Sequence, residues 1–429
     1  MDMSSIKKVH LIGIGGIGIS ALAKLMLHEG KVVQGTNEAK SPQTLHELEQ
    51  KGVRISYAID IKNVDPDTDL IVYSDAWPAR EPEFMEAVRA LGIPTHSYFE
   101  VLGFVTKGKT TIAVGGTHGK TTTTGFLAKA LIDAGLNPTV IVGSVMKDFG
   151  SNFVPGGNTF VVEACEYQDH ILKLHPKFLI ITNIELDHTD YFPDLSAIQA
   201  TFRQAAIRLP EDGALITNPH DPNIAPILEG LSCRVIDYST VSVPELQLIG
   251  GFNIQNARAA KAAAQTYASD VSEELIDESL EGFGGTWRRF EYKGRTALGA
   301  DVYDDYAHHP TAIRETIRAA KEKLAGKKLL VAFHPHLYSR TKSLFREFVE
   351  AFDEVDEVIL APIFAAREKP DPSVSSDVLA QEITKRGIPA TSYESLEEVQ
   401  AVLETVPAGT VIITMGAGDI YKVADQIAS

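Results

Sequence analysis

The chain has 429 residues, 44% hydrophobic and 23% charged, which is enough for several buried cores and about three domains of ~150 residues each. A formal net charge of −17 excludes a general binder of nucleic acid or anionic membrane, and no apolar run approaches the ~20 residues of a membrane span. Cys165 and Cys233 have neither disulfide-framework nor zinc-ligand spacing, and no signal-peptide pattern precedes the first strand, so a reduced, cytoplasmic protein is expected.

Short apolar runs alternate with helical patterns in three successive blocks, which predicts an α/β protein with mostly parallel sheets. In the first block Val9–Ile12 reads as a strand, followed by a glycine turn and a helix through Leu27. Val32–Gln34 and Leu70–Tyr73 read as further strands, with a short edge starting at Ile93. The turn contains Gly13, Gly15, Gly16 and Gly18, a pattern that sets a diphosphate on a helix N-terminus. A dinucleotide site also wants an acid at the end of the second strand, about 20 residues on. Asn37 stands there, with Glu38 next. The turn therefore suits the diphosphate of another nucleotide better than NAD. Its other reading is tight strand–helix packing alone.

The second block opens with the strand Thr111–Val114, then Gly115, Gly116, Thr117, His118, Gly119, Lys120, Thr121 and Thr122, which lead into a helix ending near Pro138. Each residue type has a task in cradling a triphosphate. Glycines let backbone N–H groups converge on phosphate oxygens, the helix N-terminus adds positive charge, Lys120 reaches the outer phosphates, and the Thr121 hydroxyl suits Mg²⁺. The first position of the strict loop pattern is Val114 rather than glycine, so the match is to a shorter variant. Phe160–Val162, Phe178–Ile181 and Ala214–Ile216 read as buried strands, and the Ala-rich run Asn256–Ala268 as a helix. Glu163 ends one of these strands at the edge that faces ligands in parallel sheets, where a carboxylate suits Mg²⁺. His188 lies in a loop at the same edge, as a ligand or as a structural histidine.

The third block follows Trp287-Arg288-Arg289-Phe290, with strands at Val302–Tyr303, Leu329–Ala332, Val358–Leu360 and Val411–Ile413.

Taken together, the chain resembles the Mur ligase family over essentially its whole length. The resemblance is carried by His10 to Gly18, the loop Gly116 to Thr122, Thr182-Asn183-Ile184-Glu185 through His188, Asn253 and Asn256, and Arg288-Arg289-Phe290-Glu291. It continues through Asp304-Asp305-Tyr306-Ala307-His308-His309-Pro310, Pro335-His336 with Tyr338-Ser339-Arg340-Thr341, and Met415 to Ile420. It implies three domains: a Rossmann-like UDP-sugar-binding domain at 1–106, a central P-loop ATPase domain at 107–292, and a Rossmann-like amino-acid-binding domain at 293–429. It implies ATP and Mg²⁺, with Thr121, Glu163 and His188 holding the metal, and Asn253, Asn256, Arg289 and Asp304 around the nucleotide. Gly13, Gly15, Gly16, Gly18, Asn37 and Ser74 would hold the UDP-sugar, while His308 and Arg340 would face the acceptor carboxylate and the incoming amino acid.

The implied reaction phosphorylates the lactyl carboxylate of UDP-N-acetylmuramate and lets the amine of L-alanine displace the phosphate. The catalytic set is then Lys120, His188, His308 and Arg340. His308 serves as base or as a hydrogen-bonding guide. Arg340 offers a planar fork to a carboxylate, or is a solvated surface arginine. The implied partners are these small molecules alone, with no nucleic acid and no membrane, for a monomer or a dimer. Phe252 and Leu337 depart from the family's usual His and Arg, and Phe202 and Arg203 stand where some relatives carry a carbamylated lysine. Three other readings remain: a ligase attaching a preformed tripeptide to the same sugar, a NAD-binding oxidoreductase or sensor, and an inert binding module.

Overall fold

The computed structural model describes residues 1–38, 42–366 and 368–428, with residues 42 and 43 described by backbone alone. Three sheets follow one another along the chain. The first has five parallel strands in the spatial order Arg54–Ser56, Val32–Thr36, Lys8–Ile12, Leu70–Tyr73, Thr95–Ser97. Its first strand is central, so the glycine turn after Ile12 opens where the strand order reverses, the usual ligand position in such sheets.

The second sheet runs Arg234–Asp237, Ala214–Thr217, Phe178–Ile181, Thr110–Gly115, Thr159–Glu163, Thr139–Met146, Ser151–Val154. It is parallel except for its last pair, an antiparallel hairpin. Ile112, Ala113 and Val114 are wholly buried, as expected of a strand covered on both faces. The third sheet orders Glu291–Arg295, Asp301–Asp305, Thr410–Met415, Lys328–Phe333, Glu357–Leu360, Ala390–Ser392, with only the first pair antiparallel. Along Lys328–Phe333, Leu329, Val331 and Phe333 join one apolar core while Leu330 and Ala332 join another. This period of two puts a core on each face.

The strands read from the sequence are all present, unchanged or lengthened by up to three residues, except that the edge expected from Ile93 begins at Thr95. The Ala-rich helix starts earlier than expected and spans Gly251–Tyr267. Arg54–Ser56, the hairpin strands, Arg234–Asp237, Glu291–Arg295 and Ala390–Ser392 were not anticipated.

The chain forms two compact units. One comprises residues 1–185, 195–247 and 255–286, with the first two sheets; the other comprises 186–194, 248–254 and 287–429, with the third. Inside the first unit, Asn152 of the hairpin donates to Ile17 O (2.6 Å) and Ser20 Oγ (3.0 Å) and accepts from Lys24 Nζ (2.9 Å). These bonds fix the helix Ile17–His28, which carries the glycine turn, against the second sheet. Among the described residues no helix is long and apolar enough to cross a membrane.

Candidate active site

The central strand Thr110–Gly115 delivers the loop 116–119 to the helix Lys120–Asp133. Two loop positions admit only glycine. Gly116 has φ +124°, and a Cβ there would overlap Thr182 Oγ1 and sit 2.9 Å from the Thr182 amide nitrogen; Gly119 has φ +82°, and its Cβ would run into the Asn256 side chain. The loop is pinned from the neighbouring strand end. Thr117 N donates to Asn183 O (3.0 Å), His118 N to Asn183 Oδ1 (2.9 Å), and Thr182 Oγ1 to His118 O (2.6 Å). Glu185 N donates to Thr117 Oγ1 (2.8 Å), and His118 Nε2 lies 3.5 Å from Glu185 Oε2.

Lys120 folds back over its own loop. Its Nζ donates to Gly116 O (2.6 Å) and Thr117 O (3.1 Å), and meets both carboxylate oxygens of Glu166, at 3.1 and 3.0 Å. Burial alone would lower the Lys120 pKa, but the Glu166 charge in front of it raises it above the ordinary lysine value. Next to it the Thr121 hydroxyl donates to Glu163 Oε1 (3.1 Å), whose other oxygen accepts from Gly143 N (2.8 Å). Hydroxyl and carboxylate oxygens converging beside a phosphate loop form a hard donor pair that fits Mg²⁺.

At the first glycine turn Gly15 N donates to Asn37 Oδ1 (3.0 Å). Ser74, at the end of Leu70–Tyr73, lies alongside: a Cβ on Gly13 would approach the Ser74 Cβ to 3.2 Å and would collide with the Trp77 indole. Asn37 and Ser74 thus both meet the turn. Glu38 turns to Arg80 in an ion pair.

In the second unit Arg288, with φ +59°, points inward. Its Nε donates to Asp304 Oδ2 (2.7 Å) and its Nη2 to Gly416 O (2.6 Å), and its guanidinium lies 4.7 Å from the Tyr421 ring centre. Asp304 also accepts from Thr414 Oγ1 (2.6 Å). Burial raises its pKa despite Arg288. Arg289 instead lies over Tyr306, 5.1 Å from the ring centre.

Arg340 is buried rather than solvated. Its Nε donates to Asp187 Oδ1 (2.8 Å) and its Nη1 to His336 O (3.2 Å). Burial works against the Asp187 charge, yet Arg340 holds the carboxyl well below the usual range. His188 follows with φ +51°, its N–H taken by Asp187 Oδ1 (2.6 Å). His308 Nδ1 faces Tyr306 O (2.9 Å), and burial, then Arg340, push its pKa well below that of a free imidazole. Its neighbour His309 accepts from Thr311 N (3.3 Å) and caps the helix Pro310–Lys323. Leu337 is buried with φ +73°.

Comparison with known proteins matches three successive segments: residues 8–110 to "Mur ligase family, catalytic domain", 114–244 to "Mur ligase middle domain", and 288–418 to "Mur ligase, glutamate ligase domain". The chain belongs to the Mur ligase family. A UDP-N-acetylmuramate–L-alanine ligase of Clostridium kluyveri is 37% identical, with 99% of this chain and 98% of that protein aligned. Its counterpart in Clostridium tetani is 38% identical, with 98% and 97% covered. Among solved structures, the UDP-N-acetylmuramate-alanine ligase MurC of Thermotoga maritima superposes with a TM-score of 0.80 at 26% identity, covering 98% of each chain. A murein peptide ligase of Psychrobacter arcticus shares the fold, with a TM-score of 0.73 at 24% identity and 99% and 100% covered.

In this Mur ligase the first unit brings together Gly116, Thr117, His118, Gly119, Lys120, Thr121, Glu163 and Asn256. His188 and Asn253 belong to the second unit, where the Asn253 side chain donates to Ile249 O (2.7 Å). Of the two candidates Arg289 and Asp304, the Asp304 carboxylate is engaged by Arg288 and Thr414. Sequence reasoning missed Glu166, Gly143 and Asp187 as partners of the loop lysine, Glu163 and Arg340. All three contacts join residues at least 20 positions apart.

Proposed function

We propose that this enzyme joins L-alanine to the lactyl carboxylate of UDP-N-acetylmuramate at the expense of ATP, in peptidoglycan precursor synthesis. The observation that carries the reading is the phosphate loop of the first unit, with Lys120 at its centre and the Thr121–Glu163 oxygen pair beside it. The choice of acceptor and amino acid rests on the Clostridium relatives, which are alanine ligases by name. They favour alanine over a preformed tripeptide.

The carboxylate oxygen attacks the γ-phosphorus, the bond to the ADP oxygen breaks, and an acyl phosphate forms. The alanine nitrogen then attacks the acyl carbon, phosphate leaves, and the amide remains. Phosphoryl transfer of this kind depends on positioning and charge neutralisation. Lys120 supplies positive charge to the outer phosphates, and the N-terminus of the helix Lys120–Asp133, entered from a loop that Asn183 pins, orients them. Thr121 and Glu163 would hold Mg²⁺, which when bound neutralises charge on the transferring group. Gly13 to Gly18, Asn37 and Ser74 receive the UDP moiety, and His308 and Arg340 handle the acceptor and the amino acid.

Phosphate release with mass spectrometry of the products tests this, using ATP, UDP-N-acetylmuramate and either L-alanine or the tripeptide. The expected result is release that requires both the sugar nucleotide and L-alanine, with a mass gain of one alanyl residue. Equal ATP turnover without the sugar nucleotide would overturn the proposal.

A further inference from the structure

Lys120 is the one residue of the loop whose positive charge can meet a nucleotide, and its ammonium is already engaged. An ammonium has three N–H bonds. Here they face four oxygens: Gly116 O, Thr117 O and the two carboxylate oxygens of Glu166. Glu166 is 1% exposed, so its charge is held out of water, and it follows three residues after Glu163. Its chain segment is fixed: Asp169 N donates to Glu166 O (3.0 Å), and Gln168 and Asp169 adopt left-handed φ values of +51° and +57°. The carboxylate is thus a buried negative charge, on a fixed stretch of backbone, beside the group that must turn to the phosphates.

We propose that Glu166 is a positioning residue that competes with the nucleotide's terminal phosphates for Lys120, weakening ground-state nucleotide binding and taking the lysine back when ADP leaves. This rests on the reading of the loop as the ATP site. Two effects act in one direction. Lys120 must give up a charge-assisted bond before it can donate to phosphate, and doing so leaves the buried Glu166 charge facing the incoming polyanion without its counter-charge. Tight product binding is thereby avoided, which matters where product release limits turnover.

Calorimetric titration of ADP into the full-length enzyme tests the proposal. Glu166→Gln is expected to bind ADP about tenfold more tightly than wild type, the size of a modest charge-pair coupling. Its KM for ATP and its kcat should fall together as release slows, while the nucleotide-free protein melts at a lower temperature. A purely structural role for Glu166 gives the opposite sign for affinity: lower melting temperature and weaker ADP binding. Glu166→Asp keeps the charge but shortens the reach to Lys120, so a gain of about threefold is expected, on the same reasoning that the lysine bond loosens. That variant decides the matter if Glu166→Gln does not fold. Unchanged or weaker ADP binding in the folded variants overturns the proposal. Lys120→Ala separates it from the underlying reading. If wild type binds ADP and Lys120→Ala binds it weakly, the ATP site stands whatever Glu166→Gln does. If wild type binds no ADP, both fall.

Discussion

Gly116 and Gly108 both have positive φ, +124° and +83°, but only Gly116 has something in front of it. An alanine at 108 meets open space, so Gly108→Ala adds backbone strain alone, about 1 kcal/mol. An alanine at 116 carries similar strain and in addition drives its methyl into Thr182 Oγ1, with the Thr182 and Asn183 amide nitrogens at 2.9 and 3.1 Å. Backbone cannot swing aside as a side chain can. The loop must lift, and bonds to the 182–185 segment hold it down, among them Thr117 N to Asn183 O, His118 N to Asn183 Oδ1, Thr182 Oγ1 to His118 O, Asn183 Nδ2 to His118 O and Glu185 N to Thr117 Oγ1. Losing two of them at about 1 kcal/mol each, on top of the strain, gives a total of about 3 kcal/mol. Urea unfolding should therefore show Gly116→Ala about 2 kcal/mol less stable than Gly108→Ala, by the same bond count. ADP titration should show nucleotide affinity lost in the first variant and kept in the second. Equal unfolding midpoints and equal ADP affinities would refute the account of the loop as a surface pressed against Thr182 and Asn183.

Acid should weaken both units through buried histidines. His10 and His334 each have a pKa lowered by burial to about 4, against 6.5 when unfolded. The unfolded chain then binds more protons below 6.5, so the stabilisation present above that value is lost as the pH falls toward 4. Each histidine accounts for about 2 kcal/mol between about pH 7 and pH 5. Urea unfolding at both pH values checks this, with His10→Gln expected to flatten the pH dependence of the first unit. A second expectation concerns Arg288→Met, which strands the Asp304 carboxylate, itself 1% exposed, and should destabilise by about 3–5 kcal/mol. Adding Asp304→Asn should recover much of the loss in thermal melts. A single-variant effect below about 1 kcal/mol would mean the pair is not desolvated as described.

What could be read from the sequence was what lies close in sequence. A strand, a glycine loop and a helix starting Lys-Thr are contiguous, so the phosphate loop announces itself from Thr111 to Thr122. The choice between Arg288 and Arg289 is different. Adjacent residues of the same type are indistinguishable in a sequence. Which one turns inward is set by the left-handed backbone at Arg288 and by carbonyls at Gly416 and Gly418, some 130 positions away. Glu166 was hidden for the same reason, since its grip on Lys120 spans 46 residues. Apart from the inner hairpin strand Thr139–Met146, the missed strands are edges. Arg234–Asp237 is half exposed with charge at both ends, and an edge strand with one wet face has no unbroken apolar run to reveal it.

The proton of the incoming ammonium poses the remaining chemical question, and the second unit supplies an argument about His308. Tyr306 O can only accept, so the ring nitrogen facing it at 2.9 Å carries the hydrogen, and Nε2 holds the lone pair. That tautomer is the one a base would need. The electrostatics point the other way. Burial and the Arg340 charge hold the His308 pKa well below the ordinary imidazole value, and the Asp187 carboxylate that might have countered this is already paired with Arg340 at 2.8 Å. A nitrogen made less basic than a free imidazole is a poorer acceptor for a proton from an amine, because efficient proton transfer wants a base whose pKa lies near the working pH. It can still accept a hydrogen bond from that amine and aim its lone pair. We therefore favour His308 as a guide, with the proton passing to the departing phosphate or to water, and with burial, then the Arg340 charge, favouring its neutral form.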